Sequence, residues 1–242
     1  MTQHQTFDRV VDLHVNQRVC PDCNIPLIKK EGDPAVNVED YYFHGSILAA
    51  FCRGAGLPPL NEAPKVYIPE NVAVAVDQMN LPSRFIVVNC RSNEPSRDWS
   101  DDQWKGLSDR IYEEWHLPVV EVGLESILNG RPNVINLCGQ LRLLETAEVI
   151  RRARLFIGVD SGPAHLSNAA GTPGVILLGR YRKFKQYCPF SGKYADGSGA
   201  TIVYNKKGPA SDLAVDAVFE AVQEQLKVNS LPSGAPKEDD YE

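Results

Sequence analysis

The sequence predicts an α/β fold built around a doubly wound parallel sheet. Short apolar runs, such as residues 155–159 and 175–178, are too brief for helices and are typical of strands buried on both faces. Amphipathic helical patterns separate most of these runs, and such alternation favours parallel strands joined by right-handed crossovers. With 242 residues, of which 43% are hydrophobic, the chain is long enough to form such a core.

The predicted elements fall into a poorly patterned opening part and a regular remainder. The opening part contains a strand, a helix, a second strand and a short helix, predicted at residues 7–15, 44–55, 66–68 and after Pro69. The remaining strands are predicted at residues 85–89, 119–122, 134–137, 155–159 and 175–178. The remaining helices are predicted at residues 101–115, 143–150, 163–170 and 212–226. Residues 229–242, rich in Pro, Gly and acidic side chains, are predicted to be disordered.

Composition excludes several classes of protein. A formal net charge of −6 argues against a broad nucleic-acid-binding surface, although local basic clusters can still bind small anions. No apolar run reaches the length that a transmembrane helix needs. The N-terminus lacks the basic and hydrophobic regions of a signal peptide, so the predicted location is the cytoplasm.

The cysteines are scattered along the chain, and most predict small core residues. Cys52, Cys90 and Cys138 lie in apolar surroundings and are interpreted as reduced thiols. Cys20 and Cys23 have the spacing of half a structural zinc site or of a redox pair. No second closely spaced pair of ligands follows, so the sequence predicts no metal site beyond this candidate.

A polar turn, Asp160-Ser161-Gly162-Pro163, follows the central strand. Asp160 and Ser161 are good N-cap residues and Pro163 suits a first helical position, so a helix should begin here. The N-terminus of such a helix lies in the crevice where open α/β sheets bind ligands, and it favours a phosphate. Gly162 would let an anion approach closely, while Ser161 and His165 would offer donors. The alternative is a tight turn in which Asp and Ser only cap the helix and His165 is a half-buried surface residue.

This segment resembles the signature of a known enzyme family. Residues 160–166 (Asp-Ser-Gly-Pro-Ala-His-Leu), residues 169–173 (Ala-Ala-Gly-Thr-Pro) and a strand ending at Gly179 are similar to glycosyltransferase family 9, the ADP-heptose:lipopolysaccharide heptosyltransferases. The resemblance, which runs from about residue 44 to 226, implies the Rossmann-like C-terminal domain of a GT-B-type enzyme. It also implies a donor-binding set: Asp160, Ser161, Gly162, Pro163 and His165. The donor would be a substrate, and no cofactor or metal is implied.

The loop after the strand at 85–89 lies at the same edge of the predicted sheet. The family has a basic residue here, followed shortly by Trp, and Arg97 and Trp99 match that pattern. By resemblance Arg97 would contact the donor diphosphate, which suits its fork of N–H donors. The alternative is a solvated side chain that pairs with Glu94 or Asp98.

Three further segments are candidates for the site. The resemblance places an acidic ribose contact at Glu125, after the strand at 119–122. Residues 138–141 (Cys-Gly-Gln-Leu) would lie near the base, or form a plain connection. A basic cluster follows the strand at 175–178 and indicates either a solvated loop or a contact with phosphate or acceptor: Arg180, Arg182, Lys183 and Lys185.

The resemblance divides the chain at about residue 60. Residues 1–60 are interpreted as a reduced N-terminal segment, the remnant of an acceptor-binding domain, residues 61–228 as the nucleotide-sugar-binding domain, and residues 229–242 as a tail. Inverting transfer needs a general base, and the expected glycine-containing opening loop with its acid is missing. Asp12, His14 and His44 are the candidate replacements.

Two hypotheses of different class follow from this division. The first is an inverting, metal-independent transferase that moves the sugar of an ADP-sugar to a glycan or lipid-linked acceptor of the lipopolysaccharide type. The second is a non-catalytic nucleotide-sugar-binding module, or one half of a split transferase whose acceptor domain comes from a partner chain or a second copy. A scaffold that binds no nucleotide is a third reading.

Overall fold

A computed structural model describes residues 10–20, 23–26, 28, 31–182, 184 and 188–228. The start of the strand predicted at 7–15, the tail at 229–242, and both Lys183 and Lys185 lie outside the described residues. The chain divides into two compact units. The smaller comprises Met1–Glu62 and Tyr187–Gly192, and the larger comprises Ala63–Gln186 and Lys193–Glu242.

In the described part of the smaller unit there is one α-helix, α1 (Ile47–Gly54), and a 3-10 turn at Tyr41–His44 precedes it. Ser46 caps α1, because its side chain accepts a hydrogen bond of 3.2 Å from the backbone N–H of Ala49. The helix predicted at 44–55 is therefore present with slightly shorter bounds. The strand predicted at 7–15 is wrong for its described part, where residues 10–15 form no strand and Val10 is 80% exposed.

The larger unit begins with an extended segment and a short helix. Residues 66–68 pair with no strand among the described residues, and Tyr67 is 82% exposed, so the strand predicted there is wrong. An apolar run flanked by Pro is compatible with an extended connection as well as with a strand. The helix predicted after Pro69 is confirmed as α2 (Glu70–Asp77).

Six parallel strands form the sheet, in the order β3-β2-β1-β4-β5-β6. The strands are β1 (Ile86–Asn89), β2 (Val119–Glu121), β3 (Val134–Asn136), β4 (Leu155–Val159), β5 (Gly174–Gly179) and β6 (Ala200–Asn205). The helices that accompany them are α3 (Asp101–Trp115), α4 (Leu143–Arg152), α5 (Gly162–Ala170) and α6 (Val215–Val228). The predicted doubly wound α/β fold is confirmed. β6, which pairs with β5 along its whole length, has no counterpart among the predicted strands.

The order of the strands decides where a ligand can lie. β1 pairs with β2 on one side and with β4 on the other. Strands β2 and β3 extend the sheet on one side of β1, and strands β4 to β6 extend it on the other, so the strand order reverses between β1 and β4. Parallel strands end at one edge, and ligands of open α/β sheets bind where this reversal leaves a crevice. The loops that follow β1 and β4 are therefore neighbours at the expected binding edge.

The loop after β1 is anchored to the core by tryptophan. Trp99 is 1% exposed and its indole N–H donates a 2.9 Å hydrogen bond to the carbonyl of Leu213. Trp99 also packs edge to face on Trp104 of α3, with ring centroids 5.1 Å apart. Because Arg97 lies two residues before this anchor, the fold restricts where its side chain can reach.

Among the described residues, no helix is long and apolar enough to cross a membrane.

Candidate functional site

The turn after β4 is tied to the end of β1. Ser161 occupies the N-cap position of α5 in an extended conformation, but its side chain makes no capping hydrogen bond. Its hydroxyl instead donates to Asn89 Oδ1 at 2.7 Å, with the carbonyl of Val159 3.1 Å away. Ser161 therefore stands at the predicted N-cap position, and its hydroxyl is hydrogen-bonded to the neighbouring strand rather than to the first turn of α5.

Gly162, the first residue of α5, is exposed. The first N–H groups of a helix have no acceptor within the helix, and since Pro163 carries no N–H and Ala164 is fully buried, the amide of Gly162 is the candidate donor. A Cβ atom built on Gly162 would meet no heavy atom within 4 Å. The protein itself therefore leaves room for an anion at the positive end of the helix.

Arg97 points at this same turn. Its guanidinium donates to Asp160 Oδ2 at 2.9 Å and to Asn93 Oδ1 at 2.6 Å, and the side chain is only 16% exposed. Glu94 lies further away, at 3.8 Å, and Asp98 accepts hydrogen bonds from Ser92 instead. Arg97 therefore pairs with the motif carboxylate of Asp160 as well as with Glu94, and its side chain is largely buried rather than solvated.

His165 lies one turn into α5, beside the same carboxylate. Its Nε2 atom is 3.8 Å from Asp160 Oδ1, and Asp160 is almost fully buried. Burial lowers the pKa of His165; the Asp160 carboxylate opposes this, and the Arg97 guanidinium lowers the pKa further. The imidazole is therefore neutral at pH 7 in the protein without ligand, and an approaching phosphate would raise its pKa.

A tyrosine that the sequence did not single out completes the surroundings of Arg97. Tyr181 follows β5, is 6% exposed, and donates a 2.8 Å hydrogen bond from its hydroxyl to Glu94 Oε2. The Arg97 guanidinium carbon lies 5.2 Å from the centroid of the Tyr181 ring, a cation–π contact. Its position just beyond a strand end, at the same edge as Arg97, was the available signal.

Asn89, the last residue of β1, connects three strand ends. Besides accepting from Ser161, it donates from Nδ2 to the carbonyl of Val122 at 2.9 Å. Gly123 permits this contact, because it has a φ of +140° and a Cβ there would lie 2.9 Å from Asn89 Nδ2. This buried amide, which sequence reasoning missed, sets the relative positions of the loops after β1, β2 and β4.

The loop after β2 contains Glu125 and is held in place by a buried carboxylate. Glu125 is exposed and lies in the loop that follows β2, the strand next to β1. Glu121, fully buried, accepts hydrogen bonds from the backbone N–H groups of Ile127 at 2.9 Å and Leu128 at 3.1 Å, and from the Ser126 hydroxyl. The shape of this loop thus depends on one buried carboxylate that carried no motif.

The segment at 138–141 lies against the same loop. The N–H of Gly139 donates to the carbonyl of Gly123 at 2.9 Å. Burial, and then the nearby Glu121 carboxylate, raise the pKa of the Cys138 thiol to about 12, so the thiol stays protonated at neutral pH. Cys138 is a free cysteine in the structure.

The candidate bases and the candidate zinc ligands belong to the smaller unit. Asp12 and His14 form an exposed pair, with 2.7 Å between Asp12 Oδ1 and His14 Nδ1. His44 is partly buried, with Nε2 3.3 Å from the carbonyl of Ala35. Cys20 is partly buried and Cys23 is exposed. Among the described residues, no group of three or more His, Cys, Asp or Glu side chains could hold a metal ion.

The basic cluster after β5 is described only in part. Arg180 and Arg182 are both exposed, and the backbone N–H of Arg180 donates to the carbonyl of Gly208 at 2.7 Å. The Arg182 guanidinium carbon lies 5.1 Å from the centroid of the Tyr181 ring, which Arg97 also contacts. The roles predicted for this cluster stay predictions.

Comparison with known proteins supports the resemblance seen in the sequence. The model of glycosyltransferase family 9 (heptosyltransferase) matches residues 59–193, more than half of the chain. Lipopolysaccharide heptosyltransferase 3 of Escherichia coli strain K12 is 26% identical over 115 residues, which cover 43% of this chain and 33% of that protein. The chain thus aligns with about a third of the length of this curated relative.

Solved structures share the fold. E. coli ADP-heptose lipopolysaccharide heptosyltransferase II has a TM-score of 0.62 at 17% identity, over 77% of this chain and 63% of that chain. A family 9 glycosyl transferase from Veillonella parvula DSM 2008 has a TM-score of 0.58 at 17% identity, over 75% of this chain and 58% of that chain. At this identity the likeness shows the fold alone.

Proposed function

The chain belongs to glycosyltransferase family 9, the heptosyltransferase family, and from this we propose that it binds a nucleotide-diphosphate sugar at the edge between β1 and β4. The proposed donor is an ADP-sugar, and the proposed acceptor is a glycan or lipid-linked glycan of the lipopolysaccharide type. The diphosphate would lie at the N-terminus of α5, with Arg97 and His165 beside it. The nucleoside would extend toward the loop after β2, where Glu125 could accept hydrogen bonds from ribose hydroxyls.

One observation carries this proposal: two side chains from distant parts of the sequence meet at an open helix N-terminus. Arg97 and Asp160 are 63 residues apart along the chain, yet a 2.9 Å ion pair joins them. His165 approaches the same carboxylate from α5. Asp160 is itself an anion. In the proposed complex it holds the side chains of Arg97 and His165 in place, while the guanidinium and the helix amides contact phosphate.

The proposed reaction is a direct displacement at the anomeric carbon of the donor sugar. The acceptor oxygen forms a bond to that carbon as the bond to the diphosphate oxygen breaks, which inverts the configuration. The leaving diphosphate gains negative charge, and the Arg97 guanidinium, the α5 amides and a protonated His165 would stabilise it. A base must take the acceptor's proton; Asp12, His14 and His44 are the candidates in this chain.

A donor hydrolysis and transfer assay tests the proposal. The chain would be incubated with ADP-heptose carrying a radiolabelled sugar, with and without a lipopolysaccharide-derived acceptor, and ADP binding would be measured by calorimetry in parallel. Labelled acceptor together with ADP binding would support the transferase. ADP binding without transfer would instead indicate a non-catalytic module or one half of a split transferase. Absence of binding by ADP, GDP and UDP alike would refute the donor site.

A further inference from the structure

We propose that Tyr181 is a positioning residue for Arg97, and that it acts by holding Glu94 away from the guanidinium. This inference rests on the proposed function, because the readout is the affinity for the donor diphosphate. Tyr181 comes from the connection after β5, whereas Arg97 and Glu94 come from the loop after β1. The three side chains therefore join two loops at the binding edge.

The flat face of Tyr181 lies against the guanidinium. Arg97 Cζ is 5.2 Å from the ring centroid, and the ring is buried apart from 6% of its surface. A long arginine side chain loses rotamer entropy when it is fixed in one orientation. The contact with the aromatic ring and the hydrogen bonds to Asp160 and Asn93 together restrict the guanidinium to its position beside the α5 turn.

The hydroxyl of Tyr181 has a separate effect on charge. Two carboxylates compete for Arg97: Asp160 Oδ2 at 2.9 Å and Glu94 Oε2 at 3.8 Å. Tyr181 donates its proton to that same Glu94 oxygen at 2.8 Å. A neutral donor thus satisfies the Glu94 carboxylate, which leaves the positive charge of Arg97 directed toward Asp160 and the open turn. Without the hydroxyl, Glu94 would move toward Arg97 and reduce its attraction for phosphate.

The effect can be separated from simple packing by a double substitution. Tyr181→Phe keeps the ring and removes only the hydroxyl, and we expect ADP affinity, measured by calorimetry on the full chain, to fall about fivefold, as for the loss of one net hydrogen bond. Glu94→Gln in the same chain removes the competing charge, so we expect the double variant to return to the original affinity or exceed it. A purely structural role of Tyr181 would not be rescued in this way.

Tyr112→Phe provides a matched control, because Tyr112 is 45% exposed on α3 and should leave ADP affinity unchanged. If Tyr181→Phe binds ADP like the original chain, or if Glu94→Gln fails to rescue it, the inference is wrong while the donor site can stand. If Tyr181→Phe does not fold, Glu94→Gln alone must change ADP affinity less than twofold, because the tyrosine hydroxyl already holds Glu94 away from Arg97; a larger gain would overturn the inference. Absence of ADP binding by the original chain would overturn the proposed function and this inference with it.

Discussion

Replacement of Arg97 by Ala tests the proposed donor site most directly. A hydrogen bond between a guanidinium and a phosphate contributes about 1.5–3 kcal/mol, which corresponds to about a tenfold to hundredfold change in the dissociation constant. In the protein without ligand, however, Arg97 already bonds to Asp160 at 2.9 Å and Asn93 at 2.6 Å. Phosphate contacts would partly replace these bonds, so we expect a loss near the lower limit, about tenfold.

The assay is isothermal titration of ADP at fixed, moderate ionic strength, well below the unfolding temperature of each variant. Arg91→Ala is the matched control, since Arg91 lies in the same loop but pairs with Asp101 at 2.6 Å and is 40% exposed. Its removal changes the net charge equally and should alter ADP affinity less than twofold. Equal losses in both variants would mean that only the overall charge matters, and an unchanged affinity in Arg97→Ala would refute the assigned contact.

Three further outcomes are expected. Gly162→Ala should unfold at the same or a slightly higher temperature but bind ADP at least tenfold more weakly, because its methyl group would fill the open space at α5. Gly106→Ala is the control: the space around Gly106 in α3 is equally open, and ADP affinity measured by calorimetry should stay unchanged. The pKa of His165 is lowered in the protein without ligand, and bound phosphate should raise it. ADP affinity should therefore increase as the pH falls from about 8 to about 6, and more steeply in the original chain than in His165→Gln. Equal slopes in the two proteins would contradict this prediction. Gly123→Ala should lower the melting temperature, measured by circular dichroism, since its Cβ would lie 2.9 Å from Asn89 Nδ2 at a φ of +140°.

The sheet could be predicted because its strands carry a strong local pattern. Residues 86–89, 155–159 and 174–179 are buried throughout, so each reads as a continuous apolar run bounded by turn residues. The strand at 200–205 is mostly half-buried and has polar residues at both Thr201 and Asn205, which weakens the same signal. The segment at 66–68 shows the opposite error: its residues favour a strand, but no strand in the described part of the chain pairs with it.

The meeting of Arg97 with the turn after β4 could also be predicted, because parallel strands end at one edge. The finer contacts could not. Tyr181 and Glu94 are 87 residues apart, and Ser161 and Asn89 are 72 residues apart, so no local spacing encodes either hydrogen bond. Ser161 shows the same limit. Its propensity correctly predicts the N-cap position of α5, but not the tertiary partner that its hydroxyl binds.

The buried carboxylate of Glu121 fixes the shape of the loop after β2 independently of the side chains that this loop exposes. Its acceptor atoms hold the backbone of residues 127 and 128 from below, whereas Leu124 is 90% exposed and Glu125 also faces outward. Exposed positions of this kind change the stability of a protein by only about 0.5 kcal/mol when they are replaced. Substitutions at Leu124 and Glu125 should therefore leave the scaffold beneath them intact, so that the proposed ribose contact of Glu125 can be altered without loss of the fold.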